Sequence, residues 1–149
     1  MKTTFKVEGL ADLDRRLGEL TASAGKGVLR RVGRQALQPM DEAWRAKAPH
    51  LTGQLEESGS VGSKLTRSQR KAQERESSVE VFAGPGPNPQ AIQQEFGNAQ
   101  HAAQPFMRTA WDQTKGRVLE IVKENLGGEI ERAAKRKARK EAKAAAGEG

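Results

Sequence analysis

Apolar residues recur every three or four positions along two long stretches of this chain and alternate with polar ones along only two short stretches. That contrast limits the fold more than any other feature of the sequence. Leu29, Val32, Ala36, Met40, Ala43 and Ala48 keep helical spacing over residues 28–48, and Trp44 extends their face. Phe106, Met107, Ala110, Trp111, Thr114, Val118, Ile121, Val122 and Leu126 do the same further on, while Leu10, Leu13, Leu17 and Leu20 mark a shorter helix. Phe5 and Val7 alternate with Lys6 and Glu8, and Val79, Val81 and Ala83 alternate within 77–83, the period of a half-buried strand. The expected fold class is α+β: a small antiparallel sheet covered by two or more helices, with a long C-terminal helix and a basic helical extension.

Punctuating residues set the expected boundaries. Gly9 ends the first strand, and 21–27 reads as a small linker. Pro39 lies inside the second helical pattern and predicts a kink or break there, because proline lacks an amide donor and clashes with the preceding turn. Pro49 ends that helix by pushing Ala48 toward an extended conformation. Residues 55–66 fit either a helical turn or a strand, and the polar, basic stretch 63–76 reads as an exposed hairpin arm or loop. After a turn at 84–89, Asn88 is placed to cap a short helix that has Pro89 first and runs to Phe96. A loop at 97–104 leads to Pro105 at the start of the last helix, which Gly127 and Gly128 should interrupt. The compact domain is therefore expected over 1–127. Residues 128–149 form a basic Ala/Lys/Arg-rich extension, either solvent-exposed or awaiting a partner.

A chain of 149 residues is one domain by size. Its 26 Lys and Arg against 19 Asp and Glu give a net charge of +7, which suits nucleic acid, an anionic membrane surface or an acidic protein and does not choose among them. Without cysteine there is neither a disulfide framework nor a thiolate site, which fits a reducing compartment. Residues 1–10 alternate instead of forming the apolar block of a signal peptide, and no window approaches the roughly 20 apolar residues of a membrane span. The expectation is a soluble protein, made and used in the cytosol, with no membrane partner.

No motif for catalysis stands out. The 84–89 turn contains three prolines, which delete the backbone donors that a phosphate-binding loop needs. His50 and His101 have no partner at metal-ligand spacing, and carboxylate pairs such as Glu56 with Glu57 or Glu95 with Asp112 carry little information. The expectation is no enzyme, no metal and no cofactor. Lys64, Arg67, Arg70 and Lys71 form one basic cluster, and Arg132, Lys135, Arg136, Lys137, Arg139, Lys140 and Lys143 form another. With no interleaved aromatics and no helix-turn-helix or zinc pattern, the second cluster reads as a solvated tail ahead of a specific DNA reader, and non-specific phosphate contact stays open.

Of four Phe and two Trp, three rings (Phe96, Phe106 and Trp111) flank the polar loop at 97–104. Together with the end of the second helix, this region resembles the gene-ten-like neck and tail-completion proteins of long-tailed bacteriophages. Their pattern is Ala-Pro, Thr-Gly and Leu, matched by Ala48, Pro49, Thr52, Gly53 and Leu55. It continues with Glu-Phe-Gly, a polar loop and a Pro-Phe helix start, matched by Glu95, Phe96, Gly97, Pro105, Phe106 and Ala110. The strand-to-helix junction from Val7 to Leu10 also agrees. The resemblance covers residues 5–126; it departs at Asn98, where a β-branched residue is common, and in the longer basic tail.

The resemblance implies a non-enzymatic ring at the head-tail junction of the virion, assembled in the host cytoplasm and surrounding the DNA channel. Hexameric symmetry is favoured over dodecameric. Its neighbours would be connector or head-completion proteins on one side and tail-terminator or tail-tube proteins on the other, with at most transient contact to packaged duplex DNA. Interface candidates are Thr52, Gly53, Leu55, Phe96, Gly97, Asn98, His101, Gln104, Pro105 and Phe106. Contact by charge falls to the two basic clusters, the first of which favours a protein neighbour. Alternatives are a tail terminator capping the tail tube and, in a different class, a basic DNA-binding accessory protein.

Overall fold

A computed structural model describes residues 9–49 and 53–147. The predicted strand at 3–8 lies outside the described residues, as do His50 and Thr52. The described residues are mostly helical, 68% of them in helices, together with a small antiparallel sheet and a long C-terminal helix. Helices α1 (Leu10–Gly18), α2 (Ala22–Ala36) and α3 (Gln38–Lys47) come first. They are followed by α4 (Gln54–Glu57), β1 (Ser60–Gly62), α5 (Arg67–Ala72), β2 (Phe82–Gly84), α6 (Pro89–Phe96) and α7 (Met107–Gly147).

Helix α7 is the spine, 41 residues and so about 60 Å long. Helices α2 and α3 pack antiparallel to it, with Arg31 bonded to Glu129, Gln35 to Asn125, and Trp44 against Phe106. Helix α1 runs in the same direction as α7, with Arg16 beside Glu131 and Lys137 donating to the Glu19 carbonyl. Two apolar clusters result. Trp44, Ala48, Leu55, Ala91, Phe106 and Ala110 make one. Val28, Val32, Leu126, Ile130 and Ala133 make the other, with α1 supplying Leu13 and Leu17.

Proline and capping chemistry act where the sequence places them. Leu37 separates α2 from α3 (φ −83°, ψ −5°), and Pro39 sits in the first turn of α3, where a missing donor costs nothing. Ahead of Pro49, Ala48 is extended. The Asn88 side chain accepts from the Gln90 amide and starts α6 at Pro89. The stretch left open at 55–66 contains both alternatives, α4 and then β1.

Other expectations need correction. The linker at 21–27 is helical from Ala22, because the Thr21 hydroxyl caps α2 by accepting the Ala24 amide. Residues 63–76 contain α5, started by a capping box between Thr66 and Gln69, although no residue of that helix is buried. The strand predicted at 77–83 is confined to β2, whose residues pair Ser60 with Gly84, Val61 with Ala83 and Gly62 with Phe82. Upstream, side chains satisfy the backbone instead of a neighbouring strand: Arg75 donates to the carbonyls of Ser77 and Ser78, and the Glu80 carboxylate accepts the amides of Glu76 and Ser77. Among the described residues the sheet has two strands, and α3 lies against both.

The interruption expected at Gly127 and Gly128 is absent, and α7 runs through them. Two glycines cost a helix about 2 kcal/mol relative to alanine. Burying Ile130 alone offsets roughly that much, and Glu129, itself 7% exposed, is held by Arg31 at 3.0 Å and Arg132 at 2.6 Å. Hydrogen bonding from Arg31 is the main reason its carboxyl stays below the usual carboxylate range. Core packing therefore extends past residue 127 to Ala133.

Candidate functional site

The aromatic-flanked loop is held by a buried carboxylate. Glu95, near the end of α6, is 5% exposed and reaches across to the start of α7. Its Oε2 accepts the amides of Phe106 and Met107 at 2.8 and 2.9 Å, and its Oε1 accepts the amide of Arg108 at 3.1 Å and the Arg108 Nε at 2.9 Å. A helix start leaves such amides without partners and carries partial positive charge, so an anion from another element serves as its cap. Burial alone raises the Glu95 pKa, but the amides of Met107, Arg108 and Phe106 and the Arg108 side chain outweigh it and hold the carboxyl below its usual range. The helix begins at Met107, two residues beyond the expected Pro105.

Between cap and helix the chain makes a small closed loop. Gly97 has φ 72° and ψ 178°, a conformation open to glycine, and a Cβ there would lie 2.7 Å from the Ala103 amide nitrogen and 2.8 Å from the His101 carbonyl. Asn98 and His101 exchange backbone hydrogen bonds, the Asn98 side chain accepts the Gln100 amide, and the Gln104 amide donates to the Gln94 carbonyl. Gln104, Pro105 and the His101 ring are exposed, the ring within 3.3 Å of the Gln94 side chain.

The two rings at the ends of this loop diverge. Phe106 is 1% exposed and tilts against Trp44, with centroids 6.0 Å apart. Phe96 is 66% exposed, under the Arg108 guanidinium at 5.1 Å from the ring centroid. Ile92, one turn earlier on α6, is also 66% exposed. Both border a groove of about 540 Å³ between α5, the 84–89 turn and α6, lined also by Gln69, Pro85, Pro89 and Met107.

Of the remaining candidates, Leu55 shares the buried cluster under this corner with Ala91 and Phe106. Leu55 is buried against Trp44, and Gly53 takes φ 72° to start α4. Lys64, Arg67, Arg70 and Lys71 are exposed on and before α5. Arg132, Lys135, Arg136, Lys137, Arg139 and Lys140 are exposed along the far half of α7. Among the described residues no three His, Asp or Glu side chains gather to hold a metal, and no helix is long and apolar enough to cross a membrane. Sequence reasoning did not single out Ile92 or Arg108. Ile92 follows from the α6 register, since it lies one turn before Phe96, whereas the Arg108 contact depends on how α6 and α7 meet. No family model, curated protein or solved structure matches the chain.

Proposed function

We propose that this chain is a structural component of a phage neck, forming a ring that joins the connector side of the head to the tail and encloses the DNA channel. The reading rests on the sequence resemblance and on one observation at the α6–α7 corner. Ile92 and Phe96, four residues apart on one helix face, are exposed beside a loop that Glu95 and Gly97 hold in shape. Large apolar side chains on a rigid mount supply contact area at little entropic cost, which suits a patch that meets a different patch on the next copy and closes a ring. A hexamer is favoured over a dodecamer, with tail-terminator or tail-tube proteins and the connector as neighbours.

Phe96→Ala tests it. Because the Phe96 side chain is mostly in water, the variant should melt within about 2 °C of wild type. Light scattering and electron microscopy should show wild type forming rings at high concentration and the variant failing to do so. Rings that form equally well in the Phe96→Ala variant, or a wild-type chain that stays a single subunit at high concentration, would remove the patch from the assembly.

A further inference from the structure

We infer that the far half of α7 is a sequence-independent binding site for the phosphate backbone of duplex DNA, and this holds whether or not the chain forms a ring. Core contact ends at Ala133, and every described residue from 134 to 147 is exposed. The helix persists there because alanine, lysine, arginine and glutamate are strong helix formers. Arg132, Arg136, Arg139 and Lys143 follow one another at intervals of four, three and four. At 100° per residue they fall within about 60° of arc, along about 16 Å of helix, with Lys135 and Lys140 on either flank. Arg132 is paired with Glu129, and Lys137 lies 3.9 Å from Glu141. Among the described residues Lys135, Arg136, Arg139, Lys140 and Lys143 have no ion pair, so five cations project with nothing to neutralise them.

Three kinds of anionic partner would satisfy that charge, and the other side chains choose among them. A specific protein interface needs large anchors in its centre, and residues 134–147 offer alanine instead of any aromatic or branched aliphatic residue. A helix seated in a membrane surface needs Trp, Phe or Leu on its apolar face, and those are missing too, which leaves an anionic membrane only the attraction of charge. Phosphate contacts need neither, because positive charge releasing condensed counterions supplies the affinity. Arginine can contact guanine edges as well as phosphate, so equal affinity for duplexes of unrelated sequence is the mark of backbone binding.

The full-length chain and two unrelated, fluorescently labelled DNA duplexes give the test by anisotropy. Five phosphate contacts predict a slope of log K against log salt of about −4.5, hence a roughly 500-fold weakening between about 50 and 200 mM salt. The two duplexes should bind alike. Replacing Arg136, Arg139, Lys140 and Lys143 together with Gln keeps helix propensity and should bring the slope to about −1. The equivalent change at Lys64, Arg67, Arg70 and Lys71 should leave it near the wild-type value. The proposal is overturned if the α7 variant keeps the wild-type slope while circular dichroism shows its helix intact, or if the α5 variant loses binding instead. It is equally overturned if wild type ignores both duplexes at low salt while binding phosphatidylserine vesicles. None of these readouts depends on ring assembly, so scattering and anisotropy fail separately.

Discussion

Glu95→Gln is the sharpest perturbation of the α6–α7 corner. The carboxylate serves four donors, two on each oxygen. A glutamine amide has one oxygen and presents N–H groups where the other was, so two donors lose their acceptor and face a donor. The better orientation keeps the oxygen on the amides of Phe106 and Met107, where burial is greatest, and sacrifices the Arg108 amide and Nε. Hydrogen bonds to a charged acceptor contribute about 1.5–3 kcal/mol. The guanidinium counts for little of this, because the Arg108 side chain is 59% exposed and water replaces its partner. Adding the lost favourable interaction of an anion with a helix start, about 0.3–1 kcal/mol, gives a total of about 2–4 kcal/mol. Urea titration should show a lower midpoint with an unchanged slope, and the melting temperature should drop by about 4–16 °C. Acid supplies the internal check. With its pKa lowered by folding, Glu95 contributes fully above the unfolded value of about 4.3, and that contribution is lost as pH falls through the folded value. Wild type should therefore lose stability more steeply than the variant below about pH 4.3, closing the gap. A difference under about 0.5 kcal/mol at neutral pH, or a gap that stays constant into acid, would refute the capping role.

Two glycine substitutions probe the packing with opposite signs. At Gly59 an added Cβ would lie 2.1 Å from Trp44 Cζ2, and Trp44 is fully buried with its indole N–H donating to Asp41, so it has nowhere to go. Gly59→Ala should cost about 3 kcal/mol or more in urea, and a cost under about 1 would show that the tryptophan yields. Gly128→Ala meets nothing within 4 Å inside a continuous α7 and should stabilise by about 0.8–1 kcal/mol; no gain would mean that the helix does break there.

Local rules made part of this architecture legible. Pro39, Pro49 and Asn88 act through their own backbone and the adjacent residues, so their effects are written in the sequence and hold in the structure. Features that depend on distant partners were not readable. The alternation at 77–83 looks like a strand, and Val81 does pack inward against Gly33, where a Cβ would come within 2.8 Å. Yet Arg75 and Glu80 hold the neighbouring backbone in a turn, and nothing in the spacing announces that. Gly127 and Gly128 look like a stop because the compensating partner, Arg31, lies nearly a hundred residues away.

The motif at 95–106 illustrates a related limit on reading function from a sequence pattern. Glu95 caps a helix, Gly97 permits a turn that a Cβ would block, and Phe106 fills the core, so three of its marked residues are accounted for by the fold of the corner itself. A pattern of this kind is evidence for a corner of this shape. It says less about what the corner touches, since a partner is met by residues that folding leaves uncovered. Phe96 and Pro105 are the motif residues left exposed, and the other large apolar side chain uncovered beside them, Ile92, is not part of the motif. Arg108 links the two roles, bonding Glu95 through Nε while its guanidinium lies over the Phe96 ring. The cap and the exposed ring are thus mechanically joined, and weakening the cap should loosen the patch as well as the helix start. Glu95→Gln therefore ought to impair any assembly that uses Phe96, whereas Phe96→Ala leaves the cap, and with it the stability of the fold, in place.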